Sequence, residues 1–89
     1  MGSTKRRPWK PSPNVDQTWF FARFDEVGLS LRAVAEKLDI DHSSLSHMLY
    51  GKRKLQIEEA IDMARIFDVT LEEVLVRAGY PEVRNLRKR

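Results

Sequence analysis

Aspartate, histidine and serine crowd into one short stretch of this chain. Asp41, His42, Ser43 and Ser44 run consecutively, and His47 follows five residues after His42. These are the residue types of a nucleophile–base–acid site, and two histidines are the beginning of a metal site. The spacing argues against both. The stretch reads as a helix, on which neighbours point about 100° apart and cannot converge on one substrate. His42 and His47 stand about 140° apart round the same helix, a poor pair for one ion. No catalytic residue, metal site, cofactor or small-molecule ligand is assigned, and the chain does not read as an enzyme.

The same residues do make a surface. With His42 at zero, Ser46 falls near 40°, Tyr50 near 80°, Ser43 near 100° and His47 near 140°. Leu45, Met48 and Leu49 occupy the opposite arc, between about 240° and 340°. A helix face that meets only water usually carries Glu, Lys and Gln, which favour helix. This one carries groups that donate and accept hydrogen bonds with little charge. Base edges in a DNA major groove mix donors and acceptors, and such a face suits reading them. Gly51 ends the helix, and Lys52, Arg53 and Lys54 follow where phosphates would flank an inserted helix. The same cations would oppose the dipole at the helix end, and the two roles are compatible.

A reading face needs a framework, and the apolar periodicity supplies one made of helices alone. Five helices are predicted. The first starts at an Asn14-x-x-Gln17 capping box and runs to Val27, with Phe20, Phe24 and Val27 inward and Gly28 as its stop. The second follows Ser30 as N-cap and turns Leu31, Val34, Ala35 and Leu38 inward. The third follows Asp41 as N-cap. The fourth covers 57–67, with Ile57, Ala60, Ile61, Ala64 and Phe67 on one face. The fifth opens with a Thr70-x-x-Glu73 capping box, buries Leu71, Val74, Leu75 and Ala78, and is stopped by Gly79 and Pro81. Only three or four residues separate the second and third helices, the dimensions of a helix-turn-helix. The expected fold is a compact all-α, five-helix domain.

Composition bounds the rest. A chain of 89 residues holds one core rather than two, and 42% apolar residues fit a globular domain. There is no cysteine, so disulfides and thiolate metal sites are excluded. No apolar run approaches the roughly 20 residues of a membrane span, and a soluble intracellular protein is the default. The net charge of +3 is unevenly spread. Lys5, Arg6, Arg7 and Lys10 put four positive charges and no acid in residues 1–14. Arg84, Arg87, Lys88 and Arg89 outweigh Glu82 at the other end, which leaves the body acidic. Residues 1–13, rich in proline and basic groups, read as a disordered arm, 14–80 as the domain and 81–89 as a basic tail. Basic ends fit arms that touch a polyanion or tails that keep the domain soluble.

The segment from Gly28 to Leu75 resembles the phage-repressor and Cro type of helix-turn-helix, also called the xenobiotic-response-element family. The resemblance is carried by Leu29-Ser30, Val34-Ala35, Leu38, Ile40, Leu45-Ser46, Gly51-Lys52-Arg53 and the run from Phe67 to Leu75. It implies a lambda-repressor-like fold, and a transcriptional regulator, a repressor of phage or bacterial kind. Such a regulator works in the cytoplasm, at the nucleoid, on a palindromic double-stranded operator, as a homodimer. The family's base-reading positions fall on His42, Ser43 and His47, with Ser44 and Tyr50 as additions. Its phosphate contacts fall on Ser30, Arg32, Lys52, Arg53 and Lys54, and Lys5, Arg6 and Arg7 are similar to arms that embrace the duplex. An antitoxin-like autoregulator with a protein partner and a protein-interaction module are the alternatives on the same fold.

Three positions depart from the family pattern. Leu31 stands where many members have a DNA-contacting Gln, and is expected to pack. Phe24 and Leu49 stand where many members have an Arg–Glu pair, so an apolar contact is expected instead. Asp39 replaces the usual turn Gly, a change that Asp tolerates in the left-handed conformation. Trp19 and Phe21 exceed what one buried stripe needs, and either covers the later helices or stays exposed. Val76 and Tyr80 are open to two readings, a dimer interface or a plain helix end. Trp9 has no assigned role.

Overall fold

The computed structural model describes residues 14–80. Five helices follow one another: α1 Gln17–Val27, α2 Leu31–Leu38, α3 His42–Leu49, α4 Ile57–Phe67 and α5 Leu71–Arg77. No strand occurs among the described residues. The arm residues Lys5, Arg6, Arg7 and Trp9, and the tail 81–89, lie outside them.

Helix starts follow the capping chemistry of the sequence, with one correction. The Ser30 hydroxyl accepts the Ala33 N–H at 3.1 Å and the Thr70 hydroxyl accepts the Glu73 N–H at 3.0 Å. Each such cap contributes about 1 kcal/mol. α1, however, is capped by Asp16 rather than Asn14. The Asp16 carboxylate accepts the Trp19 N–H at 3.1 Å, and its other oxygen accepts from Arg77 at 3.0 Å. The Asp16 N–H donates to the Arg77 carbonyl at 2.8 Å. Tertiary bonds to α5 thus choose the starting residue. Asp41 precedes α3 in extended conformation, but its side chain makes no cap bond.

All five helices end in one way, with a residue of positive φ: Gly28, Asp39, Gly51, Asp68 and Gly79. In each case the residue after it donates its N–H back to a carbonyl five positions earlier. This satisfies carbonyls that the helix end leaves open and fixes the direction of exit. Asp39 at φ 61° adopts the left-handed turn expected of it. After four of the ends the chain continues with an apolar residue, Leu29, Ile40, Val69 or Tyr80, packed against the core.

The core is one cluster that includes Phe20, Phe24, Val34, Leu38, Leu45, Met48, Leu49, Met63, Phe67 and Val74. α4 packs against α1, α2 and α5, while α2 packs against α3. Phe67 is the hub, with ring centroids 5.7 Å from Phe24 and 5.9 Å from Trp19. Trp19 also stacks edge-on to Phe20 at 4.9 Å, and its contact with Phe67 covers the end of α4. Phe21 remains exposed at its outer side and leans on Phe24. Phe24 and Leu49 are both buried, as the loss of the ion pair requires, and Leu31 packs against the core.

The inward face of α4 differs from the expected one. Met63 and Ala60 are fully buried and Glu59 is nearly so, whereas Ile57 is 51% exposed and Ile61 36%. The helix is rotated by part of a turn relative to its apolar stripe. Glu59 turns inward to a half-buried partner described below.

Candidate nucleic-acid interface

α2 and α3 are joined by Asp39, Ile40 and Asp41, with Ile40 tucked against the core and Asp39 bending the backbone. Val34, Ala35 and Leu38 of α2 and Leu45, Met48 and Leu49 of α3 are buried. Burying those residues leaves α3 only one face to present. That face carries His42, Ser43, His47 and Tyr50, all exposed, with Ser44 and Ser46 half-buried at its edges. Among the described residues Tyr50 is the most exposed of the large apolar or aromatic side chains, at 56%. Among the described residues, no side-chain hydrogen bond or ion pair engages His42, Ser43, His47 or Tyr50. Their polar groups are held outward by the fold.

The exit from α3 sharpens this. Gly51, at φ 73°, turns the chain, and the Lys52 N–H donates to the His47 carbonyl at 2.7 Å. At the other four helix ends the equivalent residue is apolar and faces the core; here it is an exposed lysine. Lys52 and Lys54 therefore stand exposed beside the end of α3, and Arg32 is exposed on α2. Ser30 is exposed at the start of α2, its oxygen already accepting a bond from the helix. Its hydroxyl proton remains free to donate.

A helix-turn-helix family model of the phage-repressor/Cro type matches residues 22–74, more than half of the chain and all of α2, α3 and α4. The chain belongs to that family. No curated protein and no solved structure matches it. As a helix-turn-helix domain of this type it has the lambda-repressor-like fold. The family is one of DNA-binding domains.

Arg53 has a place in this helix-turn-helix domain that the sequence did not reveal. Its Nη1 and Nη2 donate to the two oxygens of Glu59, each at 3.1 Å. Its Nε donates to the Ser44 carbonyl at 3.1 Å, and Nη1 also reaches the Lys54 carbonyl at 2.7 Å. A guanidinium expected at phosphate is thus already engaged within the fold. The signal available in the sequence was Gln56-x-x-Glu59, a capping pattern that places an acid beside the apolar face of α4. The Gln56 N–H does donate to Glu59 Oε1 at 3.0 Å. Gln17 is a second unexpected brace, its Nε2 donating to the Leu49 carbonyl at 3.0 Å. It ties the start of α1 to the end of α3.

Among the described residues no cluster of three metal-ligating side chains occurs, and no helix is long and apolar enough to cross a membrane. Arg77 lies between Glu73 and Asp16. A hydrogen bond to Glu73, ahead of every other influence, pushes its pKa up and keeps it charged beside Asp16.

Proposed function

We propose that this domain binds double-stranded DNA by sequence and acts as a transcriptional regulator, a repressor of phage or bacterial kind. The observation that carries the reading is the outer face of α3, whose hydrogen-bonding groups the fold exposes without employing them. His42, Ser43 and His47 read base edges, with Ser44 and Tyr50 at the margins of the same face. Ser30 and Arg32 at the start of α2, and Lys52 and Lys54 after α3, hold the phosphates that flank the groove. Lys5, Arg6 and Arg7 of the arm extend the contact along the duplex. Two copies, acting as a homodimer on a palindromic operator in the cytoplasm, complete the proposal.

The test is selection of binding sites from random duplex DNA, followed by salt titration on the selected site. A defined half-site should emerge, and affinity should fall steeply as salt rises. A protein-interaction module would enrich no sequence and show no salt-dependent affinity, which would end the reading. One half-site or two in the selected sequence reports the stoichiometry.

A further inference from the structure

Arg53 and Glu59 occupy an unusual position for an ion pair. Both are largely shielded, with side-chain exposures of 24% and 11%. The pair is a fork, two parallel bonds of 3.1 Å, a geometry that fixes orientation as well as charge. Its third arm, Nε, reaches the carbonyl of Ser44 inside α3. Ser44 lies in the first turn of that helix, between Ser43 and His47 of the proposed reading face. Glu59 in turn is held by the Gln56 N–H at the start of α4. The chain of bonds runs from the frame of the domain, through a carboxylate and a guanidinium, to the backbone of the helix that meets DNA.

From this geometry we infer that Arg53 is a specificity-positioning residue: held by Glu59, it sets the placement of α3 through the Ser44 carbonyl and is not a phosphate anchor. The inference rests on the DNA-binding reading for its functional consequence, but not for the bracing itself. Two physical arguments support it. A guanidinium paired to a carboxylate presents little net charge to a phosphate, so it adds little to counterion release. Four of its five N–H groups are engaged by protein acceptors, which leaves one Nη2 N–H and fixes the plane of the guanidinium on the protein side. Placement errors of the order of 1 Å at a reading helix are enough to lose hydrogen bonds to base edges, which hold only between about 2.7 and 3.2 Å.

Two conservative variants separate the roles, because they change shape very little. Lysine keeps the charge of Arg53 but cannot make the fork, and Glu59→Gln keeps an acceptor for the Gln56 N–H while removing the carboxylate. Both are measured for binding to the selected operator and to random duplex over a salt series, at temperatures where their helical circular dichroism equals that of the parent chain. Arg53→Lys and Glu59→Gln should each lower the operator-to-random ratio about tenfold, with the salt slope on random DNA unchanged. If Arg53 instead touches phosphate, Arg53→Lys keeps the ratio, and Glu59→Gln binds random DNA more tightly because it releases a cation. Either of those results overturns the inference. Amide hydrogen exchange without DNA supplies an independent readout. Both variants should speed exchange in residues 46–50 more than in α2, and equal protection would also overturn it. A parent chain that selects no DNA sequence would defeat the proposed function while leaving the exchange result to judge the brace.

Discussion

At the scale of the residue, the outer face of α3 divides into groups with separable tasks. His47 lies at one edge of the exposed arc, and its side chain has no hydrogen-bond partner among the described residues. Replacing an exposed side chain of this kind usually changes folding stability by less than about 0.5 kcal/mol. His47→Ala should therefore leave the melting curve in place. On DNA it should relax preference at one base pair, costing about 1–3 kcal/mol on the selected operator and much less on a site changed at that pair. Competition between the two duplexes measures this, and equal losses on both would make His47 a backbone contact. The outward direction of His42, Ser43, His47 and Tyr50 was legible from periodicity alone, because the buried leucines and methionine of α3 fix its rotation. The role of Arg53 was not legible. Three adjacent cations look alike in sequence, and only the position of Glu59 in space selects the middle one.

At the scale of the element, local chemistry foretold most boundaries, and tertiary bonds decided the exceptions. Ser30, Thr70 and the left-handed Asp39 behave as their side chains dictate. Asp16 is the cap because its carboxylate accepts the Trp19 N–H while its side chain and backbone are bonded to Arg77 across the domain. α4 turned Met63 and Glu59 inward, and left Ile57 and Ile61 at the rim, because the carboxylate has its partner on the loop after α3. A hydrophobic count along one helix contains no information about that partner. The turn between α2 and α3 gives a direct check. A β-branched residue is poorly suited to φ 61°, so Asp39→Val should cost about 1–2 kcal/mol, while Asp39→Asn should be nearly neutral in a thermal melt. Ser30 separates capping from DNA contact. Ser30→Asp keeps an N-cap acceptor and adds a charge favourable to the helix, so the fold should be as stable or slightly more so. The same charge would repel a phosphate, and binding to every duplex should weaken, most at low salt. Unchanged affinity would place the phosphate backbone elsewhere.

At the scale of the molecule, α4 supports α3 through the shared core and the Arg53–Glu59 pair, while the start of α1 is fastened to the ends of α3 and α5. Gln17 bonds to the end of α3 and Asp16 to the end of α5, so the start of α1 lies beside the end of α3. That geometry gives the basic residues of the arm a reason to matter. Thirteen residues precede Asn14, and fully extended they would span at most about 45 Å, more than one turn of duplex. Each phosphate neutralised contributes roughly 0.9 to the slope of log affinity against log salt on B-form DNA. Lys5, Arg6, Arg7 and Lys10 together thus set an upper bound near four units. Deleting residues 1–10 should weaken operator binding at low salt and reduce the slope by about two to four. The bonds that start α1 involve Asp16 and Gln17 and are untouched, so the melting temperature should hold. A slope that stays constant while affinity falls would mean the arm acts without touching phosphate. A slope and an affinity that both stay constant would confine DNA recognition to the helices alone.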